Sequence, residues 1–197
     1  MIFANGNLLP DSERKTLLAH LEEQINAVRL QEPLRAETVI NAVDALGKRL
    51  SSGEFDSLLS QFLPANVTLD DLLPLLTRQA IEAKLTAELG PDPFGDRAFP
   101  GTTARALPLG TLLHIAPGNM PGLPVYTALE GLLTGNVNLV KLPHGDKGLS
   151  LAAFRLLVEQ EPKLAPYLYT FDLPSKEQED LKALASMADG LVTWGGD

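Results

Sequence analysis

The sequence lacks cysteine altogether among its 197 residues. This absence excludes disulfide bonds and thiolate metal sites, and it excludes any cysteine nucleophile within these residues. It does not decide the compartment, because cysteine-free chains occur in reducing and oxidising environments alike.

Basic charge is also scarce. Lysine and arginine total 16 against 25 aspartates and glutamates, which gives a formal net charge of −9. Without a basic stripe, the chain does not resemble a nucleic-acid-binding protein, and we expect no nucleic acid partner. The hydrophobic content of 45% is typical of a globular protein, and the length suits one large domain or two small ones.

Charge is absent from residues 106–129, yet this stretch does not indicate membrane insertion. Four prolines would interrupt a spanning helix there: Pro108, Pro117, Pro121 and Pro124. The first residues, MIFANGNLLPDSER, also lack the basic start and apolar core of a signal peptide. We therefore expect a cytoplasmic location.

The first ninety residues are predicted to be helical. Apolar residues at helical spacing follow a capping Asp11-Ser12 pair: Leu17, Leu18, Leu21, Ile25 and Val28. A second helix carries Val39, Ile40, Val43, Leu46 and Leu50. Thr68 and Asp71 resemble a capping box that opens a third helix, kinked at Pro74 and ending near Leu89. Residues 1–90 thus form a predicted helical region, and residues 91–104 a linker.

From residue 105 onward, predicted strands alternate with helices. The strands are Arg105–Leu107, Thr111–Ile115, Val137–Lys141, Tyr167–Phe171 and Leu191–Trp194. One helix runs from Pro124 to Thr134, Asp146 caps the next, and a capping box of Ser175 and Gln178 opens the last. This alternation predicts an α/β fold with a mostly parallel sheet. Residues 105–197 are therefore predicted to be a partial, Rossmann-like dinucleotide-binding domain.

The turn after the Thr111–Ile115 strand is a candidate ligand site, because open α/β sheets bind ligands at the carboxyl ends of their strands. Asn119 could present its side-chain N–H₂ to a developing oxyanion. The alternative is an ordinary turn, since proline, glycine and asparagine are common turn residues.

Three further features lie at the ends of predicted strands. Lys141 could contact a ribose hydroxyl or a phosphate, and Gly195-Gly196 would permit close approach by a cofactor. The alternatives are a solvated lysine and a flexible chain end. His144 has no histidine, cysteine or paired carboxylate beside it in the sequence, so we predict no metal site. The GxGxxG fingerprint and the P-loop, HExxH and GxSxG motifs are absent from the sequence.

In their order, three segments resemble the cofactor-binding half of the aldehyde dehydrogenase superfamily. They are HIAPGNMPGLP, GLLTGNVNLVKLP and ADGLVTWGGD. More narrowly, the chain resembles the acyl-CoA reductases of the bacterial-luminescence, long-chain fatty-acyl type. The resemblance covers about residues 100–197.

The resemblance implies a role for each matching residue. Asn119 would hold the substrate carbonyl oxygen, while Ala116, Pro117 and Gly118 would line the nicotinamide side. Lys141 would meet the adenosine ribose, His144 would lie near the ribose 2′ substituent, and Gly195 and Gly196 would lie under the pyrophosphate. Where the wider family brings a glutamate to the ribose, this chain has Pro143-His144-Gly145, which favours NADP while leaving NAD open.

The family's nucleophilic cysteine would lie beyond Asp197. The chain is therefore expected to be the N-terminal part of an NAD(P)H-dependent acyl-CoA reductase, inactive on its own, with acyl-CoA as substrate of the intact enzyme. Two alternatives remain: a non-catalytic nucleotide-binding or assembly module, and part of an ordinary aldehyde dehydrogenase. A last strand left exposed would favour a homo-oligomer.

Overall fold

The computed structural model describes residues 1–31, 33–63, 68, 70, 72–118, 120–174 and 176–194. Five residues with predicted roles lie outside this set: Asp71, Asn119, Ser175, Gly195 and Gly196. Their proposed functions therefore rest on the sequence alone.

Within the described residues, the chain forms helices and strands in a mixed order. The helices are α1 Arg14–Arg29, α2 Ala36–Ser51, α3 Asp56–Leu59, α4 Arg78–Leu89, α5 Leu123–Leu133, α6 Leu149–Gln160 and α7 Gln178–Ser186. The strands are β1 Ile2–Ala4, β2 Asn7–Leu9, β3 Arg97–Phe99, β4 Thr102–Ala104, β5 Thr111–Ile115, β6 Val137–Lys141, β7 Leu168–Phe171 and β8 Gly190–Thr193. Short 3-10 turns cover Asp11–Glu13, Leu73–Leu76 and Pro162–Tyr167.

The main sheet has the strand order β2-β1-β7-β6-β5-β8. Strands β7, β6, β5 and β8 run parallel to one another, whereas β1 is antiparallel to both β7 and β2. β5 and β6 are apolar and buried almost throughout, as strands covered on both faces must be. The predicted α/β fold with a mostly parallel sheet is confirmed.

Helices cover both faces of this sheet. The connections through α5 and α6 step in the same direction, so right-handed crossovers place both helices on one face, where α2 packs against them. The connection through α7 runs back across the sheet, which places α7 on the other face, in contact with α1. An ion pair of 2.8 Å between Arg14 and Asp180 joins α1 to α7. The core therefore lies in two layers, one on each side of the sheet.

The first ten residues differ from the helical prediction. β1 pairs with β2 through a turn in which Asn5 has a φ of 50° and Gly6 a φ of 79°. An Asn-Gly pair with two positive φ angles is the favoured two-residue hairpin turn, so the sequence did contain the signal. The other edge of β1 pairs with β7, and the Tyr169 hydroxyl donates to Asn5 Oδ1 at 3.0 Å. The division of the chain at residues 90 and 104 stays a prediction.

Two other predicted elements were wrong. Residues 105–107 form no strand, and Leu107 is largely exposed; a hairpin of β3 and β4 lies just before them, in the predicted linker. The third helix, predicted to start near residue 68, starts at Arg78. Its cap is the Thr77 hydroxyl, which accepts from the Ala80 N–H at 3.2 Å. Pro74 lies instead in the separate 3-10 turn that precedes it.

Candidate functional site

The carboxyl ends of four parallel strands meet at one edge of the sheet. Ile115 of β5 is in register with Lys141 of β6 and with Thr193 of β8, and Lys141 is in register with Phe171 of β7. In the sheet, β6 and β7 lie on one side of β5, whereas β8, which follows them in the sequence, lies on its other side. This reversal between β5 and β8 is a topological switch point, where α/β sheets open a crevice for ligands.

The turn after β5 lies directly at this crevice. Ala116 is buried, Pro117 is half-buried and Gly118 is exposed. The loop after β6 lies against this turn: a Cβ added at Gly118 would lie 3.6 Å from Pro143 Cβ, and one added at Gly145 would lie 3.2 Å from the Gly118 carbonyl oxygen. The two glycines thus let the loops approach each other while leaving their backbones accessible.

Lys141 and His144 lie beside this turn, on the next strand and its loop. Lys141 ends β6 and is half-buried, and it makes no ion pair with any other described residue. His144 is exposed. The structure therefore brings together five of the predicted site residues at one edge: Ala116, Pro117, Gly118, Lys141 and His144.

The loop that carries His144 is held by the start of the following helix. The Asp146 carboxylate accepts from the backbone N–H of Gly148 at 3.3 Å and of Ser150 at 3.1 Å, and the Ser150 hydroxyl also donates to it. Asp146 therefore caps α6, as predicted. The positive end of the α6 dipole stabilises the Asp146 carboxylate at this position.

Sequence reasoning missed a buried polar network beneath the crevice. His114 of β5 is 1% exposed, and its Nε2 lies 2.9 Å from Asn138 Oδ1. The Asn138 amide donates to two backbone carbonyls, those of Asn136 at 2.8 Å and Tyr167 at 3.3 Å, so its oxygen must face His114 as an acceptor. His114 Nε2 therefore carries a proton. The signal in the sequence was the occurrence of polar residues within otherwise apolar strands.

The other side of the imidazole faces α5 and the end of β8. His114 Nδ1 lies 2.9 Å from the Thr127 hydroxyl, which must donate to it because Nε2 already holds the ring proton of a neutral imidazole. The same hydroxyl accepts from Trp194 Nε1 at 3.2 Å. Burial lowers the pKa of His114, partly opposed by the hydrogen bond to Asn138. We call the chain Trp194–Thr127–His114–Asn138 the polar relay.

The polar relay requires close packing of α5 on the sheet. A Cβ at Gly131 of α5 would lie 1.8 Å from Asn138 Oδ1, a distance that no atom pair tolerates. Glycine is therefore required at this helical position, despite its low helix propensity.

An apolar cavity of about 360 Å³ lies on the outer side of α5. Leu50 of α2, Leu76, Val125 of α5 and Ala153 of α6 line it, together with Met120, which comes soon after the Ala116–Gly118 turn. A smaller void of about 60 Å³ shares several of these residues. Such a volume falls within the range of small-molecule sites, and the lining suits an aliphatic group.

Metal clusters and membrane spans are both absent from the described part of the chain. It contains no group of three or more histidine, cysteine, aspartate or glutamate side chains arranged to hold a metal ion. None of its helices combines the length and apolar character needed to cross a bilayer.

Structural comparison shows the fold class. Methylmalonate-semialdehyde dehydrogenase from Oceanimonas doudoroffii matches with a TM-score of 0.67 at 14% identity, covering 100% of this chain and 50% of that one. Propionaldehyde dehydrogenase from Rhodopseudomonas palustris, solved with bound propionyl-CoA, matches with a TM-score of 0.58 at 17% identity, covering 98% and 43%. At these identities the likeness concerns the fold, which is that of aldehyde dehydrogenase domains.

Sequence comparison shows the family. The long-chain acyl-protein thioester reductase of Vibrio harveyi is 25% identical over 194 residues, which cover 90% of this chain and 40% of that protein. The chain thus spans less than half the length of this relative. The family model for acyl-CoA reductase (LuxC) matches residues 31–197. Because that match covers most of the sequence, the chain belongs to the LuxC family of acyl-CoA reductases.

Proposed function

We propose that this chain supplies the nicotinamide-cofactor-binding part of an acyl-CoA reductase. The observation that carries the proposal is the switch point between β5 and β8, with the turn after β5 and Lys141 at the same edge. A dinucleotide binds at this place in doubly wound sheets. The reduced nicotinamide would supply the hydride that converts an acyl group to an aldehyde.

The residues at the edge fit such a cofactor. Gly118 and Gly145 expose backbone that a ligand can approach closely, and Lys141 offers a cation that no described carboxylate neutralises. Ala116, Pro117 and Gly118 would line the nicotinamide side, and Lys141 would bind a ribose hydroxyl or a phosphate. Gly195 and Gly196 would lie under the pyrophosphate, a role proposed from the sequence resemblance.

The loop after Lys141 favours NADP over NAD. The segment Pro143-His144-Gly145 carries no carboxylate, and His144 is exposed, so a 2′-phosphate meets no repelling charge from that segment. NADPH is therefore the preferred cofactor in this proposal, with NADH as the weaker alternative.

The acyl group is proposed to reach the enzyme as a thioester. A cysteine would take the acyl group from CoA, and the Asn119 amide would stabilise the oxyanion that forms during attack. This chain contains no cysteine, so on its own it is proposed to bind without turning over. The apolar cavity beside α5 would receive the aliphatic tail of a long acyl chain, since its volume of about 360 Å³ and its lining suit one.

Calorimetric titration of the chain with NADPH and NADH tests the proposal. We expect saturable binding of NADPH, tighter than that of NADH, and a loss of about ten- to a hundredfold in affinity for Lys141→Ala, as for one charge-assisted hydrogen bond. Lys163→Ala is the matched control, because Lys163 is an exposed lysine in the turn that precedes β7, at the opposite edge of the sheet. Absence of binding at millimolar cofactor, or equal losses in the two variants, would contradict the proposal.

A further inference from the structure

Trp194 is the single tryptophan of the chain, and its indole ring is partly buried and partly exposed. The indole N–H end reaches inward to the Thr127 hydroxyl at 3.2 Å, while the residue as a whole remains 42% exposed. The backbone N–H of Trp194 donates to the Ile115 carbonyl at 3.2 Å, so Trp194 flanks the turn that begins at Ala116. An exposed aromatic surface therefore lies on the β8 side of the switch-point crevice.

The orientation of this ring is fixed by a chain of hydrogen bonds whose directions can all be assigned. Asn138 directs its oxygen toward His114 Nε2, which leaves Nδ1 as an acceptor for the Thr127 proton. The Thr127 oxygen then faces Trp194 Nε1 as an acceptor. Because each donor in the polar relay has one assigned acceptor, reversing the Thr127 hydroxyl would leave the buried imidazole nitrogen without a proton donor, at a cost.

A ring held in this way is suited to stacking against a flat ring of a cofactor. Aromatic rings stack offset against other flat conjugated rings, and a ring that is already immobilised loses little conformational entropy on binding. We propose that Trp194 is a cofactor-binding residue whose indole stacks against the nicotinamide ring, and that Thr127 and His114 are positioning residues that hold the indole through the polar relay. This inference rests on the proposed function above.

The single tryptophan gives a direct readout. In the wild-type chain, the oxidised cofactor NADP⁺ is expected to quench Trp194 emission, because its nicotinamide ring would be in contact with the indole. NADPH is expected to quench as well and to emit by energy transfer. Because that transfer acts over distances much longer than a contact, quenching by NADP⁺ is the signal that reports stacking. These signals do not depend on turnover, so the chain as it exists can be used.

Substitutions of Thr127 separate positioning from general structure. Thr127→Val keeps the shape of the side chain but removes both its donor and its acceptor, whereas Thr127→Ser keeps them. We expect Thr127→Val to raise the accessibility of Trp194 to acrylamide and to weaken NADPH binding about three- to tenfold, and Thr127→Ser to behave as wild type. Thr134→Val is the matched control, because the Thr134 hydroxyl, within the described part of the chain, bonds to carbonyls of its own helix and to Asn136, away from the polar relay.

Substitutions of Trp194 test the ring itself. Trp194→Phe keeps an aromatic face without the N–H, and Trp194→Leu removes the face, so NADPH affinity is expected to fall modestly in the first and about tenfold in the second. Calorimetry measures both, with circular dichroism to show that the fold is retained.

The outcomes distinguish this inference from the proposed function. If the wild-type chain binds no NADPH, the proposed function fails and this inference fails with it. If NADPH binds without changing Trp194 emission, or binds Thr127→Val and Trp194→Leu as tightly as wild type, the proposed function stands and the role of Trp194 is overturned.

Discussion

At the scale of single residues, the imidazole of His114 is the most constrained titratable group near the site. Both ring nitrogens have hydrogen-bond partners that fit the neutral form, and the side chain is 1% exposed. A proton added at Nδ1 would face the Thr127 hydroxyl, which would have to turn its own proton away. Stability of the fold is thus linked to keeping this histidine neutral.

We predict that the free energy of unfolding decreases as the pH falls below about 6.5, the ordinary pKa of histidine. Burial lowers the pKa of His114 in the folded state, so the unfolded chain takes up the proton first. The stabilisation is therefore complete above that pH and is lost below it, with a slope that approaches about 1.4 kcal/mol per pH unit for one proton. Urea unfolding at several pH values between 5 and 8 measures the slope.

The variant His114→Gln serves as the reference for this prediction. It cannot titrate, so its unfolding free energy should lack this component of the pH dependence, although its overall stability is lower. Carboxylates whose pKa is held low by arginine or lysine, such as Glu37 and Asp44, lose their stabilisation at more acidic pH and are common to both proteins. Parallel stability curves for the two proteins would contradict the assignment to His114.

At the scale of helices and strands, the relation between sequence and structure differs from element to element. The β5–α5–β6 unit could be predicted because an apolar run buried on both faces, a proline at a helix start and a second apolar run are all local signals. The β1–β2 hairpin was missed although Asn5-Gly6 is typical of a hairpin turn. Such a short pair of strands gains stability only by joining β7, which lies far away in the sequence.

Some residues of the candidate site could likewise be predicted from the sequence, and others could not. Residues that follow strand ends, such as Lys141 and Gly118, could be found from the pattern of strands alone. The polar relay could not, because Thr127 and Trp194 are 67 residues apart in the sequence and their pairing depends on how α5 lies over the sheet. Gly131 allows α5 to lie this close to the sheet, since any larger residue would overlap Asn138.

The cavity between α2, α5 and α6 yields a second prediction. Ala153 lines both the larger and the smaller void, so Ala153→Phe should fill part of them and Ala153→Val less. We expect the affinity for a long-chain acyl-CoA to fall less for valine than for phenylalanine, and by roughly tenfold for phenylalanine if about two buried methylene groups are displaced. Calorimetry with long-chain acyl-CoA measures the effect.

Acetyl-CoA and NADPH are the control ligands for this series. Neither carries an aliphatic tail, so their binding should be unchanged if the cavity holds the acyl chain. Unchanged affinity for the long-chain compound in a folded Ala153→Phe variant would exclude the cavity as its site.

At the scale of the whole molecule, the sheet has two edges that no described strand covers. β2 forms one edge and β8 the other within the described residues, and Leu191 on β8 is 61% exposed. Leu107 and Leu109 are also largely exposed, and Leu109 lies close to β8 at Gly190. An apolar strand with an unpaired edge is a template for pairing with another chain.

We predict that the chain self-associates through this edge as its concentration rises. Leu191→Lys places a charge on β8 and should shift the population toward monomer in sedimentation velocity measurements, with little change in unfolding free energy. Leu8→Lys is the control, because Leu8 is 41% exposed on β2, at the opposite edge of the sheet. Equal association of both variants and the wild-type chain would place the contact elsewhere.

The pairing of β1 with β7 determines the order in which strands can join the sheet while the chain is being synthesised. Ile2 pairs with Leu9 within the hairpin and with Phe171 on its other side, so this second side has no partner until β7 has been made. At ordinary rates of synthesis this delay is on the order of ten seconds. The Asn5-Gly6 turn can form during that time, but the sheet must stay open at β7 until the hairpin arrives. The strand made before all the other described strands is therefore among the last to be incorporated into the sheet.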